Sequence, residues 1–269
     1  MDTPLHQQRS RSGISTALHG SSLHPGPDCG SLSEVGAVLL DIEGTTTPVE
    51  FVHQTLFGYA RARVTGFLEQ YWNDPAVRAD VEQLETEHQA EASQPPPSPW
   101  QHNPAAVATY LQWLMDRDRK STGLKSLQGK IWEEGYRSGE LRGEVYSDVP
   151  MTLQRWRRQG IEIAIFSSGS VQAQRSLFRS TPAGDLTQYI GAYFDTTTGP
   201  KAAPESYTRI AAKLKRSTSA IVFLSDVVAE LDAARTSGME TALCVRDPGA
   251  VPSTGGHRVI HSLDQLDVS

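Results

Sequence analysis

Three segments of the chain are hydrophobic at almost every position, and each is followed at once by polar residues. These segments are 35–40, 161–166 and 220–224. Because a strand that is buried on both faces lacks polar alternation, each segment predicts a central strand of a parallel sheet. Two further segments, 189–194 and 241–245, predict additional strands of the same sheet.

In the second half of the chain, hydrophobic residues recur at helical intervals between these predicted strands. The pattern predicts helices at 149–159 and 171–179, a helix that begins at Pro204, and a helix that ends before Gly238. Strand and helix then alternate with short connections, which is typical of a doubly wound, Rossmann-like parallel sheet. We therefore expect an α/β core formed by 35–49 and 148–269.

The segment 50–147 has a different pattern, with helical periodicity and no alternation typical of a strand. Hydrophobic residues recur every three to five positions at 52–71, 107–115 and 127–136, and four prolines between 93 and 99 indicate a loop. The sequence therefore predicts a helical insertion within the α/β core.

Residues 1–34 contain mostly Ser, Gly, His, Pro and Arg, with few large hydrophobic side chains. Such a segment cannot bury enough apolar surface to order itself, so we expect a disordered N-terminal tail. A transit peptide is the alternative, because Arg9 and Arg11 lie among several serines, but no amphipathic helix is apparent.

Composition narrows the class of protein. Hydrophobic residues make up 38% of the chain, and the formal net charge is −6. Binding to nucleic acid or to an anionic membrane needs a basic face, so we expect neither partner. The hydrophobic runs are far shorter than the roughly 20 residues that span a bilayer. Two cysteines, Cys29 and Cys244, suggest no disulfide framework. A cytoplasmic enzyme is the expectation.

Residues whose side chains could act in catalysis or binding follow the predicted strands. In a parallel sheet, the carboxyl ends of the strands form a ligand-binding edge. Carboxylates suit Mg²⁺, hydroxyls with Gly-rich backbone and a lysine suit phosphate, and a carboxylate is a competent nucleophile. The residues concerned are Asp41, Glu43, Ser167, Ser168, Gly169, Lys201 and Asp226.

Structural explanations compete with these roles. Asp41 could cap the turn that follows it, and Ser167 or Ser168 could cap the helix that begins at 171. A lone Lys201 would ordinarily be a surface residue. Glu230 is explained equally well by the dipole of its helix and by a water-mediated contact to a metal.

The order of these motifs resembles the haloacid dehalogenase superfamily of aspartyl phosphotransferases and, more narrowly, the enolase-phosphatases of methionine salvage. The resemblance spans about 35–265. Glu43 stands where most phosphatases of the superfamily have Asp, which favours the enolase-phosphatases within it. Thr47, Pro48 and Gly58 depart from the family's pattern. The segments that carry the resemblance are Asp-Ile-Glu-Gly-Thr-Thr (41–46), Phe51-Val52, Leu56-Phe57, Tyr59-Ala60-Arg61, Leu127-Gln128-Gly129, Ile131-Trp132, Gly135-Tyr136, Gly139, Phe-Ser-Ser-Gly-Ser-Val (166–171), Gly-Pro-Lys (199–201), Ser206-Tyr207, Phe-Leu-Ser-Asp (223–226) and Glu230.

The resemblance implies an enzyme that converts 2,3-diketo-5-methylthiopentyl 1-phosphate into 1,2-dihydroxy-3-keto-5-methylthiopentene and phosphate, using one Mg²⁺ per chain. The implied roles fall into three groups. They are catalysis by Asp41, Glu43 and Lys201, phosphate binding by Ser167, Ser168, Gly169 and Lys201, and metal binding by Asp41, Glu43 and Asp226.

The resemblance also implies that the insertion at 50–147 is a cap that closes over the site, and we expect a monomer that acts on a small phosphate ester. Two other interpretations stay open. One is a phosphatase of the same fold with another small substrate, such as a sugar phosphate. The other is a non-enzymatic binding module, which is disfavoured because a competent residue fills every motif position.

Overall fold

The computed structural model describes residues 35–91, 96, 98–247, 249 and 253–268. The predicted tail at 1–34 lies outside these residues, as do positions 93–95 and 97 of the proline-rich loop.

Six parallel strands form one sheet in the order β3-β2-β1-β4-β5-β6. Five of them match the predicted segments, and the expected α/β fold is confirmed. Arg258–Ile260 was not predicted, because a three-residue edge strand with one buried residue, Ile260, is too short to leave a pattern in the sequence. The strands are β1 (Ala37–Leu40), β2 (Glu162–Phe166), β3 (Ala192–Phe194), β4 (Ile221–Ser225), β5 (Glu240–Cys244) and β6 (Arg258–Ile260).

Eight α-helices are present in the described residues, and the first five lie between β1 and β2 in the sequence. No helix in this part of the chain is both long enough and apolar enough to cross a membrane. A π-helical segment, Phe51–Leu56, leads into the first helix. The helices are α1 (Phe57–Tyr71), α2 (Pro75–Ala90), α3 (Pro104–Asp116), α4 (Thr122–Ser138), α5 (Val149–Arg158), α6 (Val171–Arg179), α7 (Pro204–Leu214) and α8 (Val228–Thr236).

Local signals fix where the helices of the insertion begin and end. The side chains of Asp74, Asn103 and Ser121 accept hydrogen bonds from backbone N–H groups in the first turns of α2, α3 and α4. Gly139 ends α4 with φ of +80°, a left-handed conformation that glycine adopts without steric cost.

The hydrophobic core has two layers, one on each face of the sheet. In β1, Val38 and Leu40 belong to one layer, which α5 and α6 cover, whereas Ala37 and Leu39 belong to the other, which α7 and α8 cover. This alternation is why β1 is hydrophobic at every position. A third cluster, built from α1 to α4, fills the insertion.

The parallel register brings the polar ends of three strands to one edge of the sheet. Leu40 of β1 pairs with Ile165 of β2 and with Leu224 of β4. Neighbouring strands lie about 4.8 Å apart, so the residues that follow these three, Asp41 among them, meet at the carboxyl edge. The sheet topology itself therefore assembles the candidate site.

One fold prediction concerns Gly143, which joins the insertion to the core. A Cβ at this position would lie 2.0 Å from the backbone carbonyl oxygen of Leu177, at the end of α6. Backbone cannot yield as a side chain does, so Gly143→Ala should lower the free energy of unfolding by about 2 kcal/mol or more, measured by urea denaturation.

Gly66→Ala is the matched control. Gly66 lies within α1, and a Cβ there would meet no heavy atom within 4 Å. Alanine favours helix over glycine, so this variant should be more stable by about 0.5–1 kcal/mol. Equal stability of Gly143→Ala and the wild type would show that the contact at Leu177 is not formed.

Candidate active site

Asp41 lies at the end of the central strand β1, and only 4% of its surface is exposed. Its Oδ1 accepts hydrogen bonds from the backbone N–H of Ile42 at 2.7 Å and from Lys201 Nζ at 2.7 Å. The Ser225 Oγ lies 3.3 Å from its Oδ2. The turn-capping explanation thus accounts for only part of this environment, because a lysine 160 positions away also contacts the carboxylate.

A tight turn follows Asp41. The carbonyl oxygen of Ile42 accepts hydrogen bonds from the backbone N–H groups of three successive residues, Thr45, Thr46 and Thr47. The Thr46 hydroxyl donates to the carbonyl oxygen of Asp41 at 3.0 Å. The turn therefore fixes the backbone on both sides of Glu43.

Lys201 reaches the site from the loop between β3 and α7. Its backbone carbonyl accepts a hydrogen bond from the Tyr207 hydroxyl at 2.7 Å, and Tyr207 is fully buried. Its Nζ lies 2.7 Å from Asp41 Oδ1 and 2.6 Å from Glu230 Oε2. Only 11% of the Lys201 side chain is exposed, so the surface explanation for this residue is wrong.

The contact between Glu230 and Lys201 was missed in the sequence. Glu230 lies in the first turn of α8, and its Oε2 also lies 3.0 Å from Ser225 Oγ. The Ser225 hydroxyl has one proton, so it can donate to Glu230 or to Asp41 but not to both at once. The sequence signal that could have pointed to polar contacts here was Ser225, a polar residue at the end of a fully buried strand.

Burial and crowding of carboxyl groups shape the electrostatics. Burial raises the pKa of Asp226 to about 7, and the nearby Asp41 adds to this shift. Burial also raises the pKa of Glu43 and Glu230, again with Asp41 contributing. For Lys201, burial alone would lower the pKa, but Asp41 and Glu230 raise it above its ordinary value. Four acidic groups thus surround one lysine.

This excess of carboxyl groups fits a hard cation such as Mg²⁺. A Cβ on Gly44 would lie 2.1 Å from Asp226 Oδ2, so the Asp226 carboxyl group packs directly against the turn that carries Glu43. Among the described residues, no three acidic, His or Cys side chains form a complete metal cage. Mg²⁺ does not need one, because it retains water and binds one or two carboxylates together with substrate phosphate.

The serine loop follows β2 at the same edge. Ser167 is 5% exposed, and its Oγ accepts a hydrogen bond from the backbone N–H of Gly169 at 3.2 Å, whereas Ser168 is exposed. The helix that follows is capped by Ser170, whose Oγ accepts from Ala173 N at 3.2 Å. The capping explanation for Ser167 and Ser168 is therefore wrong.

The ion pair between Arg246 and Asp148 also contacts the turn that follows Asp41, and nothing in the sequence indicated it. Arg246 Nε donates to the carbonyl oxygen of Thr45 at 3.0 Å, and Arg246 Nη1 lies 2.8 Å from Asp148 Oδ2. The same Asp148 oxygen accepts from Leu263 N at 2.6 Å. Although burial opposes ionisation of Asp148, these hydrogen bonds hold its pKa below the ordinary value.

Comparison with known proteins gives consistent matches. Residues 35–238 match the sequence model of the haloacid dehalogenase-like hydrolases. The enolase-phosphatase E1 of Synechococcus elongatus is 51% identical over 232 residues, which cover 86% of this chain and 98% of that protein. That of Drosophila mojavensis is 44% identical over 225 residues, covering 82% and 88%. The crystal structure of the Saccharomyces cerevisiae UTR4 protein aligns with a TM-score of 0.70 and 33% identity, covering 86% of this chain and 100% of that chain.

Lys201→Met tests the electrostatic arrangement. The substitution leaves two buried carboxyl groups, Asp41 and Glu230, without their shared counter-charge. We expect the free energy of unfolding to fall by about 3 kcal/mol in urea denaturation with EDTA present. The exposed Lys213 of α7 provides a control, since Lys213→Met should change stability by less than about 0.5 kcal/mol. A similar small change for Lys201→Met would contradict the ion-pair geometry.

Proposed function

The chain belongs to the haloacid dehalogenase-like hydrolases and, within them, to the enolase-phosphatase E1 family, and we propose that it converts 2,3-diketo-5-methylthiopentyl 1-phosphate into 1,2-dihydroxy-3-keto-5-methylthiopentene and phosphate. The observation that carries this proposal is the contact of one lysine with both Asp41 and Glu230 at the carboxyl edge of the sheet. Glu43 stands two positions after Asp41 in a fixed turn.

Asp41 acts as the nucleophile of phosphoryl transfer. One carboxylate oxygen forms a bond to phosphorus while the bond between phosphorus and the C1 oxygen of the substrate breaks. The aspartyl phosphate that results is hydrolysed when water attacks phosphorus, which releases phosphate and restores the carboxylate. The buried position of Asp41 supports this role because it excludes most solvent water.

Ser167, Ser168, Gly169 and Lys201 hold the phosphate. The serine loop offers hydroxyl groups and backbone N–H groups beside the N-terminus of α6, a position that favours anions. Lys201 adds a positive charge already directed at Asp41. These groups place phosphorus near the nucleophile and balance the negative charge that accumulates during transfer.

Asp41, Asp226 and the backbone carbonyl of Glu43 would hold one Mg²⁺. The ion supplies positive charge that reduces repulsion between carboxylate and phosphate and stabilises a developing enolate. The packing of Asp226 against Gly44 supports this assignment, because it brings the second carboxyl group to the turn that follows the first.

Glu43 carries the protons. Its carboxylate removes a proton from C1, the C–H electron pair forms the C1–C2 double bond, and the C2 carbonyl oxygen takes up a proton from water to give the enol. The hydroxide that this water leaves is neutralised by the proton released when water hydrolyses the aspartyl phosphate. Glu43 then gives its own proton to the leaving C1 oxygen. A glutamate reaches roughly 1.3–1.5 Å further than an aspartate on ordinary bond lengths, which helps one group serve both positions. Burial raises its pKa, which suits a group that both gains and loses a proton.

The helical insertion, residues 50–147, serves as a cap over this site, while 35–49 and 148–269 form the catalytic core. The separate hydrophobic cluster of the insertion supports its action as a unit. A small phosphate ester is the substrate class that suits the site. The monomeric state and cytoplasmic location expected from the sequence stay predictions.

The proposed function predicts a defined sequence of products. The purified protein with Mg²⁺ and the diketo phosphate should form a transient enol and then acireductone, followed by absorbance, with one phosphate released per substrate. Asp41→Asn should reduce phosphate release by at least about a thousandfold, because the amide cannot form the acyl phosphate.

The exposed Asp267 provides the control, and Asp267→Asn should retain wild-type activity. If Asp41→Asn kept a tenth of wild-type activity, another group would be the nucleophile. A wild-type protein that hydrolyses sugar phosphates but not the diketo phosphate would support the rival phosphatase. Absence of Mg²⁺-dependent phosphate release from every ester would support a binding module.

The role of Glu43 is tested by exchange of the C1 proton in heavy water. Glu43→Gln should stop both exchange and phosphate release, because one group serves both steps. Glu43→Asp should impair exchange more than hydrolysis of simple phosphate esters. Glu50→Gln is the control, because Glu50 is exposed and lies just beyond the same turn. Exchange at the wild-type rate in Glu43→Gln would identify a different base and confine Glu43 to phosphoryl transfer.

A further inference from the structure

Gln174 lies in α6, the helix that follows the serine loop, and only 1% of its surface is exposed. Its Nε2 donates one hydrogen bond to the carbonyl oxygen of Gly169 at 2.8 Å and another to the carbonyl oxygen of Phe194 at 2.8 Å. Two carbonyl oxygens can accept only from the NH₂ end of an amide, so these contacts fix the orientation of the side chain. None of the roles assigned so far uses this residue.

The two hydrogen bonds of Gln174 join the serine loop to the neighbouring strand. Phe194 is the last residue of β3, and its carbonyl oxygen also accepts from the backbone N–H of Ser167 at 3.2 Å. Gly169 follows two positions later, and its own N–H donates to Ser167 Oγ. The Gln174 amide therefore holds the middle of the loop to the same point of the sheet edge that holds its first serine.

The position of the Gly169 carbonyl decides where the next N–H group points. A trans peptide unit is planar, and its C=O and N–H groups point in opposite directions. Because the Gly169 carbonyl points at the buried Gln174 amide, the N–H of Ser170 in the same peptide unit points away from it. Neither the N–H of Ser168 nor that of Ser170 donates a hydrogen bond to any residue that the structure describes. The loop thus has two backbone donors available to a ligand.

Protein groups already occupy N–H groups in the first turn of α6. Asp195 Oδ2 accepts from Val171 N at 3.3 Å, and Ser170 Oγ accepts from Ala173 N at 3.2 Å. An anion that approaches this end of the helix therefore meets the N–H groups of the loop before those of the helix. The loop conformation that Gln174 holds sets which donors the anion finds.

The acceptor end of the Gln174 amide is unpaired. Its Oε1 is buried and has no hydrogen-bond partner among the residues that the structure describes. Burial of an acceptor without a partner lowers stability, so stability alone explains a glutamine at this position poorly. The two hydrogen bonds of the donor end offer a better explanation, because they hold a loop that carries three of the four proposed phosphate-binding residues.

We propose that Gln174 is a positioning residue for phosphate binding. Its amide holds the Gly169 carbonyl away from the ligand, so that the loop presents the N–H groups of Ser168 and Ser170 to the phosphoryl group. If the Gly169 peptide unit turned over, its carbonyl oxygen would face the phosphate, and two acceptors repel each other. Gln174 acts through the loop and does not touch the substrate. This inference rests on the phosphate site of the proposed function.

The test measures binding of inorganic phosphate by calorimetry, with Mg²⁺ present, and the kinetics of the diketo phosphate. Gln174→Met keeps a side chain of similar length but cannot donate a hydrogen bond. The Kd for phosphate and the KM for the diketo phosphate should both rise at least about tenfold, because a hydrogen bond to a charged group is worth that much in affinity. The kcat should fall by a smaller factor, because other segments hold Asp41.

Two controls separate the position of the loop from other effects. Gln172→Met makes the same substitution on the same helix, where Gln172 is exposed and its Nε2 donates to Glu133 Oε1 of α4. Ile163→Val removes a buried methyl group from β2 and lowers stability without removing a hydrogen bond. Both variants should bind inorganic phosphate with the wild-type Kd. A rise in Ile163→Val as large as that in Gln174→Met would assign the effect to stability and overturn the role of Gln174.

Melting temperatures identify a Gln174→Met protein that fails to fold, and Gln174→Asn then takes its place. Asparagine retains the amide but is shorter by roughly 1.5 Å, so it cannot reach both carbonyl oxygens. The Kd for phosphate should rise in this variant too, and an unchanged Kd would contradict the proposal.

Ser167→Ala distinguishes failure of this inference from failure of the proposed phosphate site. If Ser167→Ala weakens phosphate binding while the Gln174 variants keep the wild-type Kd and KM, the role of Gln174 is overturned and the phosphate site stands. If the wild type does not bind inorganic phosphate, or Ser167→Ala binds it as the wild type does, the phosphate site fails and the role of Gln174 fails with it. Weaker binding in Ser167→Ala and in the Gln174 variants, with both controls unchanged, supports the inference whichever phosphate ester is the substrate.

Discussion

The contact of Lys201 with Asp41 and Glu230 governs the electrostatics of the site. Three charged groups lie within hydrogen-bond distance in a region where their side chains are 6–15% exposed. Charges removed from water to this degree are tolerated only when paired, so the position of the ammonium group sets how many carboxylates can ionise together. Neither Asp226 nor Glu43 forms an ion pair with Lys201, and burial raises the pKa of both groups, with the nearby Asp41 adding to the shift. A cation would offset the cost of burying these carboxyl groups in their charged form, which is the physical argument for the proposed Mg²⁺.

The surrounding structure keeps this arrangement in place through the backbone. The hydroxyl of Tyr207, which is fully buried, donates a hydrogen bond to the backbone carbonyl of Lys201. This hydrogen bond fixes the backbone from which the lysine side chain extends. On the other side, Gly44 has φ of +64° and lacks a Cβ, which lets the Asp226 carboxyl group lie against the turn. A side chain at position 44 would push the Asp226 carboxyl group away from the turn that carries Glu43.

The sequence was informative where burial leaves a pattern and silent where contacts join distant residues. Strands buried on both faces have no polar positions, and parallel topology then places the residues after them at one edge, so the position of Asp41 could be predicted. The burial of Lys201 could not, because most lysines are exposed and only its motif favoured a role. The contact of Glu230 with Lys201 belongs to neither explanation given for Glu230, and both of those stay predictions. Asp148 and Arg246 are 98 positions apart, and neither lies in a recognisable pattern.

The insertion joins the core at points that also hold the Asp41 turn. Before α5, Tyr146 N donates to the carbonyl oxygen of Thr46 at 3.0 Å, and Arg246 spans from Thr45 to Asp148. Under the proposed function, an insertion that opens and closes would have to leave these contacts intact, because movement transmitted through them would displace Asp41. Closure of the proposed cap would therefore be accommodated between the turn and residue 145, a segment whose helices have their own core. With this arrangement, the proposed cap would change what surrounds the substrate while Asp41, Lys201 and Asp226 keep their positions. The proposed substrate selection and phosphoryl transfer would thus fall to parts of the chain that separate hydrophobic clusters stabilise.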